Sequence, residues 1–258
     1  MDSLDWRLSI EEVAAILSTV SQPEMAHDLM MAQLGDMSQE EAHARLLAAG
    51  HSLLARGYLN VSESGELSLS ADMSRVAEIL THPDFSIRYT RSHQPFELTL
   101  AFHFNDNEIY AHSLENGILH HLTLVESQET VIERGLTFFA LDEIGPFACP
   151  QAEMPYAIIE QIKDEDSLSV ILKTLEGTQV PRETRTSFAE DVHQVQYRGS
   201  ILRVEYEDSK PQSDEGLLVL RGTDRLWLLR LLVHNGNRYV TLIPGTEQKF
   251  RREVAALL

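Results

Sequence analysis

The feature that most constrains the fold is a strictly alternating segment from Phe96 to Phe104. Phenylalanine and leucine at every second position alternate with polar or small residues. Since successive side chains of a strand point to opposite faces of a sheet, this pattern predicts a half-buried β-strand. Two turn signals follow, Asp106-Asn107 and Asn116-Gly117, each leading into another strand-like run. Asn and Gly tolerate positive φ and favour tight hairpins, so the segment predicts a three-stranded antiparallel meander.

The end of the chain repeats this pattern. A strand-like run from Leu226 to Val233 leads to Asn235-Gly236, and another strand and a helix from Glu247 follow. The shared order predicts an α+β fold made of two quasi-repeated halves, residues 1–145 and 146–258, in one compact unit. Two unrelated hairpins that share an Asn-Gly turn remain the alternative. The polar segment at 178–186 is predicted to be a loop.

The first third is predicted to be helical and similar to a winged helix. Ser9 and Glu12 have the spacing of a capping box. A later helix ends at Arg56-Gly57, and a glycine turn and a short alternating strand follow it, as in a wing. A DNA-reading domain would carry lysines and arginines at this place, but residues 36–66 contain only Arg45 and Arg56 as cations. We therefore expect no binding of nucleic acid.

The charge distribution supports that expectation. The chain carries 40 acidic and 21 basic residues, a net charge of −19. Residues 1–150 contain 23 Asp and Glu, seven Arg and no Lys, so this part repels phosphate backbones and anionic membranes. Solubility is one interpretation of the acidity, and attraction to a basic partner is the other.

Three further observations bear on location. No apolar run approaches the roughly 20 residues of a membrane-spanning helix. The first residues are acidic and do not resemble a signal peptide. Cys149 is the single cysteine, which excludes a disulfide framework and fits a reducing compartment. These features predict a cytoplasmic protein that does not bind membranes.

Catalytic motifs are absent from the sequence. It contains no nucleophile elbow, no phosphate-binding glycine loop, no dinucleotide fingerprint and no His-Glu-x-x-His. Cys149 has no neighbouring base and is interpreted as a passive residue. We therefore expect a protein that is not an enzyme and uses no cofactor.

One polar cluster follows from the predicted hairpins. If both turns have two residues, His103 lies opposite Tyr110, and His112 lies between Ala101 and His121. His103, Tyr110, His112 and His121 then share the polar face of the sheet, which is predicted to face water or a protein partner. His103, His112 and His121 are also weak candidates for metal ligands, although a register shift of one residue would separate them.

The order of elements resembles the EspG family, cytosolic chaperones of type VII secretion. The similarity lies in Leu53-Leu-Ala-Arg-Gly-Tyr-Leu59 with Ala77-Glu-Ile-Leu80 before His82-Pro83, in the sheet that follows, and in Asn235-Gly-Asn-Arg-Tyr-Val-Thr-Leu-Ile-Pro244 before the last helix. The resemblance implies two quasi-repeated halves and the binding of helical-hairpin export substrates near their tips. The methionine-rich second helix and the absence of lysine before Lys163 depart from the family.

The leading hypothesis is a non-enzymatic adaptor that binds a protein client, as an EspG-like chaperone does. A degenerate winged-helix regulator that senses a ligand or a protein partner is the first alternative. A small metal-dependent enzyme that uses the histidine face is the second.

Overall fold

The computed structural model describes residues 5–93, 96–106, 108–141, 144–145, 147–207 and 210–258, and confirms the predicted α+β fold. The helices are α1 (Ile10–Thr19), α2 (Pro23–Leu34), α3 (Gln39–Ala55), α4 (Ala71–Thr81), α5 (Gln128–Phe138), α6 (Tyr156–Ile162), α7 (Leu168–Glu176), α8 (Arg182–His193) and α9 (Glu247–Ala255). The strands are β1 (Asp5–Ser9), β2 (Leu59–Val61), β3 (Leu67–Leu69), β4 (Phe85–His93), β5 (Phe96–Asn105), β6 (Glu108–Glu115), β7 (Leu119–Val125), β8 (Ala152–Pro155), β9 (Tyr197–Glu207), β10 (Lys210–Arg221), β11 (Leu226–His234) and β12 (Asn237–Pro244).

Local signals account for several helix boundaries. The predicted capping box is present: the Ser9 N–H donates to Glu12 Oε2 at 3.0 Å, and the Glu12 N–H donates to Ser9 Oγ at 3.1 Å. At α3 and α4 only the hydroxyl takes part: Ser38 accepts from the Glu41 N–H and Ser70 from the Met73 N–H. The predicted loop at 178–186 is wrong in its second half, because α8 begins at Arg182.

The described chain forms two compact units. Unit 1 comprises the residues up to Ser86 together with Leu100–Glu126 and Tyr206–Pro211. Unit 2 comprises Ile87–Thr99, Ser127–Glu205 and Gln212–Leu258. The boundary therefore passes within β4, β5, β9 and β10. The assignment of residues 1–145 and 146–258 as domains stays a prediction.

Unit 1 has a layer of helices on one face of its sheet. Its strands follow the order β1-β7-β6-β5, and the antiparallel pair β2–β3 forms a separate small sheet after α3, at the place of the predicted wing. Trp6, Leu8, Tyr110 and Leu122 point to the same face and share a buried core with α1, α2, α3 and α4. This helical layer covers the face of the sheet to which Tyr110 belongs.

Unit 2 has helices on both faces. Its strands follow the order β8-β12-β11-β10-β9-β4. On one face Trp227 and Leu229 of β11 share a core with residues of α7 and α8. On the other face, α5 packs closely against α9 and β4. A Cβ atom at Gly135 would lie 2.9 Å from the Tyr89 ring and 3.0 Å from the Phe250 ring. Glycine at this position allows the close approach.

The order of elements repeats along the chain. Apart from the small β2–β3 pair, an edge strand, helices, four strands and a helix run from β1 to α5, and the same order runs from β8 to α9. In both cases the first strand pairs antiparallel with the last, β1 with β7 and β8 with β12. The two Asn-Gly turns agree as well, since all four turn residues have φ between 51° and 78°.

Candidate functional site

The predicted pairing of β5 with β6 is confirmed. His103 lies opposite Tyr110 and Ala101 lies opposite His112. The second residue of the predicted turn, Asn107, lies outside the described residues. The register places His103, Tyr110 and His112 on one face, as predicted from the alternation.

The predicted pairing of β6 with β7 is wrong by one residue. Glu115 pairs with Leu119, and the Ile118 N–H donates to the Glu115 carbonyl at 3.1 Å, so three residues separate the strands. Ile118 follows the Asn-Gly turn as an extra residue, and a shift of one residue sends each side chain to the other face. His121 therefore lies opposite Ser113 rather than His112.

The four predicted residues therefore do not share a water-facing surface. Tyr110 is fully buried under the helical layer, and the exposed fraction of His103 is 6%. His121 lies on the opposite face, where its ring nitrogens contact Asp5 at 2.8 Å and Glu115 at 2.9 Å. The role of these four residues in partner binding stays a prediction.

The predicted apolar face of β5 is confirmed in part. Phe102 and Phe104 are buried, and the Phe104 ring stacks on Phe85 with 4.3 Å between ring centroids. Leu100 is half-buried and Leu98 is 48% exposed. The side chain of Phe96 lies outside the described part of the structure.

The register shift brings a different histidine to the buried face of unit 1. His120 lies opposite Leu114 and Leu8, and its Nδ1 lies 2.8 Å from His112 Nε2. His112 Nδ1 in turn lies 3.1 Å from His103 Nε2. The sequence analysis missed His120, because the adjacent pair His120-His121 must place one ring on each face and only the register decides which.

The three histidines form a hydrogen-bonded chain. His103 Nδ1 lies 2.8 Å from Ser86 Oγ, whereas the buried His120 Nε2 has no hydrogen-bond partner among the described residues. Burial lowers the pKa of His120 to about 4. Within the described ranges, no group of three or more His, Cys, Asp or Glu side chains is placed to hold a metal ion.

In unit 2, β11 occupies the place that β6 has in the first repeat, and it exposes apolar residues. Along one face of β11 the exposed fraction rises from 0% at Trp227 and 3% at Leu229 to 46% at Leu231 and 69% at Val233. The helices that cover Trp227 and Leu229 thus leave the next two side chains in contact with solvent. We call Leu231 and Val233 the apolar strip.

A cavity lies beside this strip. It has a volume of about 280 Å³ and opens between α6, α8 and strands β9 to β11. Its apolar lining includes Ile159, Ile162, Phe188, Val192, Leu218 and Leu229. Polar groups at the cavity come from Tyr156, Glu160, Lys163 and Arg198. Leu229 lines this cavity, whereas Leu231, the next residue on the same face, lines a second cavity of about 350 Å³ together with Leu202, Leu217, Leu218 and Leu257.

A buried polar network holds the covered end of β11. Asp191 of α8 accepts a hydrogen bond from Trp227 Nε1 at 2.7 Å and another from Arg225 Nε at 2.7 Å. Burial raises the pKa of Asp191, and the bonds from Arg225 and Trp227 act against that rise. The network joins α8 to Trp227 of β11 at the covered end of the strand.

Sequence reasoning did not single out the apolar strip. The run Leu226–Val233 is apolar at almost every position, so its alternation does not tell one face from the other. Among the described residues, no helix is both long and apolar enough to cross a membrane.

Comparison with known proteins gives a family and a fold. The family model described as "Uncharacterised protein YfjC" matches residues 6–241. No curated protein matches the sequence. Among solved structures, the Mycobacterium tuberculosis type VII secretion system chaperone EspG5, in complex with the PE25–PPE41 dimer, matches with a TM-score of 0.69. The identity is 10%, and the match covers 98% of this chain and 95% of EspG5. At this identity the likeness shows the fold alone.

Proposed function

The chain belongs to the YfjC family, and we propose that it is a non-enzymatic adaptor that binds a helical protein client. The finer form of the proposal is a cytosolic chaperone that holds an export substrate. The fold shared with EspG5, a chaperone solved with a bound protein dimer, supports it. The observation that carries it is the apolar strip of unit 2, in which Leu231 and Val233 are exposed and Leu231 lines a cavity of about 350 Å³.

The strand pairing favours a helical client over an extended one. The backbone of β11 is hydrogen-bonded to β10 on one side and to β12 on the other. Since β11 lies between β10 and β12 in the sheet, it has no free edge, and a partner must present side chains to this face. An amphipathic helix presents a row of side chains to such a face, because its residues three and four apart lie on the same side.

The charge distribution is compatible with apolar docking at this surface. Residues 151–258 carry 17 acidic and 14 basic residues, a net charge of −3, against −16 for residues 1–150. A helix that docks on unit 2 thus meets a part of the chain with little net charge. We expect client binding here to weaken only slightly between low and physiological salt.

In-cell photo-crosslinking tests the proposal. A photoreactive phenylalanine analogue replaces Leu231 in one variant and Leu47 in a control, since Leu47 lies on α3 of unit 1 and is 54% exposed. We expect a predominantly helical protein to be crosslinked from position 231 and not from position 47, with the identity given by mass spectrometry and the helicity by circular dichroism. Identical products from both positions, or none from position 231, would contradict the proposal.

A binding measurement with the captured protein completes the test. We expect the double variant Leu231→Asp/Val233→Asp to lower its affinity at least 100-fold, since two apolar contacts are lost and two charges face the client. Leu47→Asp is the control and should leave the affinity unchanged. Equal affinities of the double variant and the wild type would place the client elsewhere.

A further inference from the structure

The cavity of about 280 Å³ in unit 2 is not lined by the apolar strip that carries the proposed function. It lies between the sheet and the helices α6 and α8, and all of its lining residues belong to unit 2. Ile162 of α6, Phe188 of α8 and Leu229 of β11 line it and are at most 3% exposed. These buried side chains give the cavity an apolar wall.

The volume of this cavity suits a small ligand with an apolar chain. Ligand pockets begin at about 300 Å³, close to the volume here. One water occupies about 30 Å³ of the liquid, and a methylene group is of similar size, so the space fits a chain of about eight carbons. Water itself is a poor occupant of an apolar space, because each molecule needs about two to four polar partners.

The polar groups of α6 at this cavity are paired with one another. Tyr156 OH donates to Glu160 Oε1 at 2.7 Å, and Lys163 Nζ donates to Glu160 Oε2 at 2.9 Å. The hydrogen bond with Glu160 raises the pKa of Lys163, and the charge of Asp164 raises it further. The side chains of Glu160 and Lys163 are both 45% exposed, so this group lies at the solvent side of the cavity with its charges compensated.

Arg198 of β9 supplies a cation that pairs with no carboxylate among the described residues. Its Nη2 donates to the carbonyl oxygen of Lys163, which follows the last residue of α6. The side chain is exposed and forms part of the cavity lining, although the chain as a whole carries 40 acidic residues. The other N–H groups of the guanidinium fork therefore remain for an anion at the mouth of the cavity.

We propose that this cavity binds a small organic carboxylate with an unbranched apolar tail of about eight carbons. Arg198 holds the carboxylate, and the tail lies against Ile159, Phe188 and Leu229. The headgroup keeps contact with water at the mouth, so only the tail is desolvated, and the arginine–carboxylate pair adds charge-assisted hydrogen bonds. This site does not depend on the proposed client.

Isothermal titration calorimetry of the full chain with octanoate and with octan-1-ol tests the site. The two compounds have chains of the same length, and only octanoate is charged. We expect one octanoate per chain, bound at least about tenfold more tightly than octanol, because only octanoate pairs with Arg198. Equal affinities for the two compounds, or no binding of octanoate at about 1 mM, would overturn the proposal.

Arg198→Gln removes the cation and keeps an N–H donor for the Lys163 carbonyl. It should weaken octanoate binding about tenfold and leave octanol binding unchanged. Arg182→Gln is the matched control, since Arg182 is an exposed arginine of α8 that does not line the cavity. Wild-type affinity for octanoate in Arg198→Gln, or a similar loss in the control, would contradict the assigned position of the carboxylate.

Two further variants act in opposite directions. Glu160→Gln should raise the affinity for octanoate at least about threefold, because Lys163 loses its carboxylate partner and can pair with the ligand. Ile159→Trp places a larger ring at the half-buried position on α6 and should abolish the binding of both compounds. Circular dichroism checks that each variant folds.

The outcomes of these two variants bear on different parts of the site. A lower affinity for octanoate in Glu160→Gln would show that the carboxylate does not lie beside Lys163. Unchanged binding in a folded Ile159→Trp would place the ligand outside the cavity. Arg198 and Glu160 are exposed, so their variants test the proposal if Ile159→Trp does not fold.

Discussion

Strands β6 and β11 occupy equivalent places in the two repeats, but they differ in residue type and in exposure at one equivalent position. His112 lies four residues before Asn116, and Leu231 lies four residues before Asn235. In unit 1 His112 is half-buried on the face that also carries the buried Tyr110 and Leu122, and in unit 2 Leu231 is 46% exposed. The helices that cover the first repeat have 10, 12, 17 and 11 residues, whereas those of the second have 7, 9 and 12.

This difference shows that the extent of the helical cover, rather than the polarity of the strand, decides which residues are buried. A buried imidazole needs hydrogen-bond partners, and the chain from Ser86 to His120 supplies them for every ring nitrogen in it except the buried His120 Nε2. An exposed leucine needs no such compensation within its own chain. It is the type of residue that a docking surface uses.

The largest expected effect comes from removing the buried ring of unit 1. Tyr110→Ala should lower the free energy of unfolding by about 4 kcal/mol, because Tyr110 is fully buried in the core of that unit. Leu229→Ala is the equivalent change in β11 and should cost about 3 kcal/mol. Urea denaturation measures both. A loss below 1 kcal/mol for Tyr110→Ala would mean that the two covered positions are not equivalent.

An intermediate effect is expected at the two turns. Gly117 and Gly236 have φ of 72° and 78°, and a Cβ at either position would meet no atom within 4 Å. Alanine should therefore cost about 1 kcal/mol at each turn, through the backbone alone. Gly50→Ala within α3 is the control and should stabilise by about 0.5 kcal/mol. Costs at the two turns that differ by more than about 1 kcal/mol would break the equivalence of the hairpins.

The smallest expected effect on stability lies at the apolar strip. Leu231→Asp should change the free energy of unfolding by less than about 0.5 kcal/mol, because that side chain already contacts solvent. The same measurement on Leu229→Asp, one position deeper on the same face, should show a loss of several kcal/mol. Similar losses for the two variants would show that the helical cover extends over the strip.

Much of the fold could be predicted from short stretches of sequence. The capping box at Ser9, the strand that ends in Phe102 and Phe104 and both Asn-Gly turns depend on neighbouring residues, and all of them are present. The edge strands β1 and β8 were not predicted. Each is short and pairs with a strand distant in sequence, β7 or β12, so its own residues carry little signal.

The residues of the candidate sites could not be predicted from local sequence, because they depend on the register of β7 and on where the helical cover of β11 ends. Ile118 follows the first Asn-Gly turn as an extra residue, and His234 pairs directly with Asn237 at the second. That one-residue difference moves His121 to one face and brings His120 into the chain of rings. The apolar strip was hidden for another reason, since nearly every residue of β11 is apolar and only the end of the cover marks Leu231 and Val233.

Neighbouring residues and composition are enough to set the alternating strands, the turns between them, the repeated order of elements and the acidic first half. Long-range packing sets the register of β7, the burial of His103 and His120 and the exposure of Leu231 and Val233. Burial depends on what packs above a strand. In this protein the packing comes from helices that lie many residues away and differ in length between the two repeats.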